Sequence, residues 1–527
     1  GALEALINRG EGVSDDALDE AIARVRADDL LTIVYTSGST GAPKGAMLSN
    51  RNFTHIVKNG YEVLPEMLYE PSRLLLFLPL AHCFARYIQY TAIGGHGVVG
   101  YVPGAKHLLA DLRGFKPTYL LGVPRVFEKV FNAASQKAGT GLRGRIFANA
   151  VRHFEDWSKM ESEHKHPSLA MRMKHSFYMS TVATSFRSAL GPNLRYLACG
   201  GAPINTDLVH FFNGMDDITF IQGYGMTETA APMMVNWQKA NRPGSVGRPG
   251  PGMAVRTAED GEIEVKGPNV FLGYYKNREK TDEVLEPSGW LHTGDLGYID
   301  DDGFLYITGR KKDIIITAGG KNVSPAPMEN AINECPIVAH TVVVGDNKPF
   351  IGALVTLDPE MIGSWLAERG LDPHTPLEDV AHSDAVHAYI QQYVDQANAN
   401  VSRAESVRKF IVLPHDFSVE EGTMTASMKV VRPKVLAAYA GVIEGELYAP
   451  VPSNRPVPVS VQILESTTET VKRAGESMRH ASENVSPRVR QAIDTVQERL
   501  GEWQQDHAET AEDASAAKEP PSQEEER

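Results

Sequence analysis

The stretch Leu31-Thr32-Ile33-Val34-Tyr35-Thr36-Ser37-Gly38-Ser39-Thr40-Gly41-Ala42-Pro43-Lys44-Gly45 is an apolar, β-branched run followed at once by a loop of hydroxyls, three glycines and a lysine. The first half predicts a buried strand, because β-branched and apolar side chains suit a pleated, covered surface. The second half can turn backbone N–H groups, hydroxyls and one positive charge onto a triphosphate. Its order, Gly-x-x-Gly-x-x-Lys-Gly, differs from the Gly-x-x-x-x-Gly-Lys-Ser/Thr loop of common nucleotide triphosphatases, and no hydroxyl follows the lysine to hold a metal. An ordinary P-loop phosphotransferase is therefore disfavoured, and ATP used in another chemistry is expected.

Farther along, four more segments fit the same kind of site. Gly200-Gly201-Ala202-Pro203 follows the strand-like Leu194 to Cys199, and Gly223-Tyr224-Gly225-Met226-Thr227-Glu228-Thr229 follows Thr219 to Gln222, so both read as junctions of strand and loop. Gly289-Trp290-Leu291-His292-Thr293-Gly294-Asp295 precedes Gly309-Arg310-Lys311-Lys312-Asp313, which leads into Ala318-Gly319-Gly320-Lys321-Asn322-Val323-Ser324-Pro325. One glycine-rich turn is more often a plain surface loop. Several of them at strand ends fit the rule that open α/β sheets bind ligands beyond the carboxyl ends of their strands.

With 527 residues and 42% hydrophobic content, the chain can bury more than one core. A net charge of −14 disfavours a nucleic-acid partner, whose phosphates such a surface repels, whereas ATP needs only local positive charge. Cys83, Cys199 and Cys335 are few and widely spaced; they read as packing residues, suggest neither a disulfide framework nor a zinc site, and fit a reducing cytoplasm. No apolar run is long enough to span a bilayer, which leaves peripheral contact with the inner membrane face open.

Apolar strand-like runs alternate with amphipathic stretches from about residue 30 to 309, with Leu74 to Leu80 and Tyr119 to Val123 the clearest strands beside those above. This predicts an α/β fold, a large domain over 1–309 with mostly parallel sheets flanked by helices. Alternation between Arg242 and Trp290, as in Gly261-Glu262-Ile263-Glu264-Val265-Lys266, adds a small β-rich antiparallel subdomain. A smaller α+β C-terminal domain is expected over 310–446, with strands near Ile314 to Thr317, His340 to Gly345 and Ile351 to Leu357 and a helix from Ala385 to Val401. A proline-rich linker over 447–459, a helical tail over 460–505 and a disordered acidic tail over 506–527 complete the plan. The tail helix, striped by Val489, Ile493, Val496, Leu500 and Trp503, could dock on its own body, self-associate, or bind a partner or membrane surface. At the other end, Ala17, Leu18, Ala21, Ile22 and Val25 form a helical apolar face expected to pack.

Taken in order, the five segments resemble the adenylate-forming superfamily of acyl-CoA synthetases, luciferases and peptide-synthetase adenylation domains, over roughly residues 28 to 446. Gly122-Val-Pro-Arg-Val-Phe-Glu-Lys129 and Gly319-Gly-Lys-Asn-Val-Ser-Pro325 look most like long-chain fatty acyl-CoA synthetases. The family places a much longer segment before the phosphate loop, so the chain reads as N-terminally truncated. The resemblance implies that a fatty acid carboxylate attacks ATP to give acyl-adenylate and pyrophosphate, and that the thiol of coenzyme A then expels AMP. Thr36, Ser37, Gly38, Ser39, Thr40, Gly41 and Lys44 would hold the β and γ phosphates, with Glu228 and Thr40 at Mg²⁺. Thr227 would meet the α-phosphate, and Gly201, Ala202, Pro203, Tyr224 and Gly225 would line the adenine. Asp295 and Arg310 would take the ribose, and His82 would lie near the acyl carboxylate.

Lys429 matches the lysine that approaches the carboxylate and α-phosphate during adenylation, although Ala426, Ser427 and Met428 depart from the family pattern and leave Lys434 as the alternative. Lys312 matches the hinge about which the smaller, mobile domain turns, bringing Gly319 and Gly320 to the coenzyme A tunnel. The same residues also admit a fatty acyl-AMP ligase that delivers to a carrier protein, or a non-catalytic acyl- or nucleotide-binding protein. Acyl chain length depends on the depth of an apolar tunnel that the sequence leaves open.

Overall fold

A computed structural model describes residues 2–36, 43–69, 72–102, 104, 108–139, 141–237, 239–399, 401–425 and 429–449. The strands are β1 Leu30–Thr36, β2 Lys44–Ser49, β3 Arg73–Leu76, β4 Val98–Tyr101, β5 Tyr119–Gly122, β6 Tyr196–Cys199, β7 Thr219–Met226, β8 Ala231–Val235 and β9 Arg248–Pro249. They continue as β10 Ala254–Thr257, β11 Glu262–Lys266, β12 Leu291–Ile299, β13 Leu305–Arg310, β14 Ile315–Ile316, β15 Asn322–Val323, β16 Val338–Val344, β17 Ile351–Leu357 and β18 Val407–Leu413.

The largest sheet has the order β4-β3-β5-β6-β7-β8-β9; β4 through β7 run parallel and β8 and β9 close it antiparallel. Its strands are apolar on both faces, as a sheet covered on both sides requires. Leu74, Leu76, Tyr119, Leu121, Ala198 and Ile221 point into one core with Phe53, Ile56 and Ile88, while Leu75, Leu120, Leu197, Cys199 and Phe220 point into the other with Phe127, Phe154, Phe211 and Phe212. This alternation is the period-2 geometry of a strand at work. Beside it stands the antiparallel sheet β10-β11-β12-β13. A third sheet, β16-β17-β18, packs against the helices Ala326–Ile332, Pro359–Glu368 and Asp384–Ala399, and its two cores draw only on residues between Ile315 and Leu447. Residues 1–448 nevertheless form one compact unit.

Several expectations shift. Strand β3 ends at Leu76, because Pro79 cannot extend a ladder and His82 starts a helix. In the other direction, β7 runs on through Met226, so Gly223-Tyr224-Gly225 is strand paired to β8. A Cβ on Gly225 would sit 2.1 Å from the Ala231 carbonyl oxygen, so that glycine is required by the close approach of two backbones. The opening strand forms a hairpin with β2 alone, and Leu30, Leu31 and Tyr35 are exposed with only Val34 buried. Helices Ala2–Gly10 and Asp15–Arg24 form as their amphipathic pattern dictates, yet neither buries a residue: Leu18, Ile22 and Val25 stay exposed. No helix among the described residues is long and apolar enough to cross a membrane. The proline-rich linker beyond residue 449, the tail helix and the acidic tail lie outside the described residues.

Candidate active site

The site is built where parallel strands end. After β3 the chain reaches His82, whose Nδ1 caps the helix Cys83–Gly94 by accepting from the Phe84 N–H at 3.3 Å. That bond leaves the ring proton for Nε2, and burial together with the nearby Lys429 holds the imidazole's pKa below its ordinary value, so the ring is neutral near pH 7. After β6 come Gly200 and Gly201, the latter at φ +86°, where glycine alone is unstrained, followed by exposed Ala202 and Pro203. Asn205 then caps the helix Thr206–Asn213.

At the end of β7, a short turn over Thr227–Thr229 carries Glu228 into the interior, where it is 6% exposed. A buried carboxylate needs donors; the Tyr274 hydroxyl donates to Glu228 Oε1 at 2.7 Å, and Lys44 Nζ lies 4.9 Å from the centre of the Tyr274 ring. Thr36 pairs with Lys44 across the β1–β2 hairpin, so both residues flank the tip of the phosphate loop. Ser37, Gly38, Ser39, Thr40 and Gly41 lie outside the described residues. Thr227 Oγ1 is 3.8 Å from the Cys83 sulfur, and burial pushes the Cys83 thiol up to about 11, so it is a neutral packing group and no nucleophile.

The antiparallel sheet supplies the next wall. Asp295 on β12 is 4% exposed and accepts from the Tyr224 hydroxyl at 2.7 Å and from Arg310 Nε at 2.7 Å, with Arg310 placed directly opposite by the β12–β13 register. The carboxylate in turn raises the pKa of Arg310, fixing its charge.

Lys429 comes from the module built on β16, β17 and β18. A turn closed by the Met424–Val430 bridge and by the Thr425 N–H to Lys429 carbonyl bond brings its Nζ to 3.7 Å from where a Cβ on Gly201 would stand. The residue is exposed to solvent yet has protein close around its side chain; lost hydration and the repulsion of Arg310 lower its pKa below that of an ordinary lysine. Lys434, the alternative, is exposed on the helix Arg432–Ala438. Lys312 is exposed in the turn after Arg310, and Gly319 and Gly320 lie exposed between β14 and β15 in a hairpin bonded to Asp346, Asn347 and Lys348.

The structure thus brings together Lys44, His82, Gly201, Tyr224, Thr227, Glu228, Asp295, Arg310 and Lys429; Lys312 stands two residues beyond Arg310, and Gly319 and Gly320 make none of these contacts. Tyr274 belongs to the site although sequence reasoning missed it; it follows Gly273 in an apolar run whose only signal is the aromatic itself, while Cys83 packs beside Thr227 as the sequence reading expected. Buried, tyrosine-bonded Glu228 offers the hard oxygen donor that Mg²⁺ prefers. Glu264, Glu286 and His292 also place ligand atoms within 4.8 Å of one another, but Arg256 is ion-paired to both carboxylates and already balances them.

Comparison with known proteins finds relatives along most of the chain. The family model described as AMP-binding enzyme matches residues 3–275, and its C-terminal domain model matches 312–451. The chain is 44% identical over 443 residues to the long-chain-fatty-acid–CoA ligase FadD15 of Mycobacterium bovis, covering 84% of this chain and 73% of that protein. It is 33% identical over 479 residues to the human long-chain-fatty-acid–CoA ligase ACSBG1, covering 84% of this chain and 64% of that one. Among solved structures, the adenylation domain of a Mycobacterium chelonae carboxylate reductase superposes with a TM-score of 0.59 at 25% identity, covering 85% of this chain and 67% of that one. The Bacillus subtilis O-succinylbenzoate coenzyme A synthetase, solved with ATP and a magnesium ion, shares the fold with a TM-score of 0.53 at 22% identity, over 78% of this chain and 70% of that one.

Proposed function

Because the chain belongs to the AMP-binding enzyme family, we propose that it is a long-chain fatty acid–CoA ligase, joining a fatty acid to ATP as acyl-adenylate with release of pyrophosphate and then exchanging AMP for coenzyme A. The observation that carries this reading is the position of Lys429: a cation from the C-terminal module lies near Gly201, His82 and the Asp295–Arg310 pair. Two anions must meet in the first step, the carboxylate and the α-phosphate, and only cations and oriented donors lower that barrier. Lys429 draws in the carboxylate and offsets charge at the α-phosphate. Neutral His82 can donate from Nε2 to the acyl oxygen. Asp295 accepts from the ribose hydroxyls with Arg310 beside it, and Tyr224 flanks the adenine. Lys44 and Thr36 hold the outer phosphates with the glycine-rich loop between them.

Bound Mg²⁺ would supply charge neutralisation on the phosphates, with Glu228 and Thr40 as its protein ligands. For the thioester step, the module that carries Lys429 turns about Lys312 and presents Gly319 and Gly320 to the pantetheine arm, whose passage small residues permit. The test is a mass-spectrometric product assay with ATP, Mg²⁺ and fatty acids of graded length, with and without coenzyme A. Acyl-CoA and AMP are expected with it, and pyrophosphate with acyl-adenylate without it. Adenylate that never passes to coenzyme A would contradict the reading in favour of carrier-protein delivery, and ATP binding without pyrophosphate release would mark a non-catalytic binder.

A further inference from the structure

The helix Pro124–Ala138 meets the start of the helix Pro359–Glu368 through polar contacts along its length. Arg125 is ion-paired to Asp358, Lys129 Nζ is 3.0 Å from Glu360, and Gln136 Nε2 is 3.2 Å from the Met361 sulfur. Asp358 is 2% exposed, and the sequence separation of Arg125 and Asp358 is 233 residues. One partner stands on the large parallel sheet and the other on the sheet whose module holds Lys429.

Asp358 directly follows β17, whose Leu354 packs in the same core as Met424, and Met424 closes the turn that presents Lys429. A packed core transmits position with little give. Where Asp358 is fixed, Lys429 is fixed too. Arg125 has a second acidic neighbour, Glu128 at 3.7 Å, which stays with it on its own helix. If Asp358 withdrew, Arg125 would keep a partner and Asp358 would regain water. A buried ion pair of this kind is close to break-even against its separated, solvated state and chiefly selects one geometry, as a reversible latch requires.

We propose that the Arg125–Asp358 pair, flanked by Lys129–Glu360, is a latch that holds Lys429 over the nucleotide, and that it serves adenylate formation but not thioester formation. Both are positioning residues; neither touches the reacting atoms. The inference rests on the ligase reading above.

The two half-reactions separate the possibilities. Fatty-acid-dependent exchange of pyrophosphate into ATP reads the first, and release of acyl-CoA from supplied acyl-adenylate reads the second. Arg125→Ala and Asp358→Asn are compared with the parent, asparagine being chosen because it still caps the helix through the Glu360 N–H. Lys129→Glu at the exposed flank guards against a variant that fails to fold. Exchange is expected to fall about tenfold in the first two variants and about twofold to threefold in the third, with thiolysis within twofold of the parent. Equal losses in both half-reactions, or exchange unchanged in Arg125→Ala and Asp358→Asn, would overturn the latch. A parent enzyme that performs neither half-reaction would overturn the ligase reading itself.

Discussion

Glu228 and Asp295 are buried carboxylates, each bonded by a tyrosine hydroxyl and carried at or beside long strands, whereas Lys429, Gly319 and Gly320 ride on short, exposed turns of a separate core. The first group is organised before any ligand arrives: Tyr274 and Tyr224 fix the acceptors, and Arg310 fixes the charge of Asp295's neighbourhood. The second group is held at its base only. Such a division suits a site that binds one nucleotide throughout but must change the group that faces it between half-reactions.

Substitutions on the two sides should therefore fail differently. The largest effect is expected for Lys429→Ala, which should slow pyrophosphate exchange by about 10²–10³-fold, the usual consequence of removing one preorganised stabiliser of developing charge. Thiolysis of supplied adenylate should survive, and Lys434→Ala should stay within about twofold. If both half-reactions fell together, the lysine would belong with the fixed wall. On that wall, Asp295→Asn should raise KM for ATP by roughly thirtyfold, about 2 kcal/mol for hydrogen bonds to a charged group, and should impair both half-reactions because AMP remains bound through both.

A pH profile sharpens the same contrast. Lys429 is needed as a cation, and its pKa is depressed by lost hydration and by Arg310. A depressed base loses its proton earlier as pH rises, so the alkaline limb of adenylation should fall below the 10.5 of an ordinary lysine, and Lys429→Arg should remove that limb. The smallest effect is expected at Glu334, which faces Asn205 and Asp207 from the module of β16, β17 and β18 and whose pKa is raised to about 7 by burial and by Asp207. A carboxyl with a raised pKa favours the packed arrangement at low pH, and this contribution is lost between its ordinary 4.5 and about 7. Glu334→Gln should flatten the dependence of exchange rate on pH across that window by no more than about threefold, the scale of a partly exposed charge.

Much of the fixed wall was legible in the sequence. Glycine-rich segments after apolar runs mark strand ends, and strand ends of a parallel sheet converge on one edge, so the segments carrying Gly201 and Thr227–Glu228 could be grouped, whereas His82 and the individual roles came from the family resemblance. Burial was less legible. The run Leu31 to Tyr35 looks like a covered strand and the face of Leu18, Ile22 and Val25 like a docked helix, because periodicity reports which side chains share a face and not what lies over it. Tyr274 escaped for a different reason: an aromatic in an apolar run looks like core, and only the hydrogen bond to Glu228 reveals its second task. Arg125 was visible within a family-like motif, but its partner lies in another core and no local pattern points there.

The claim that distant segments close on one triphosphate is tested most directly by an ATP analogue bearing an acyl-phosphate group, which transfers its acyl tag to lysines within reach of the bound phosphates. Peptide mass spectrometry then reads the tagged positions. Tags on both Lys44 and Lys429, each suppressed by excess ATP, are the predicted result. ATP-protected tags on Lys434 or on remote surface lysines, with Lys44 and Lys429 unmodified, would contradict the account.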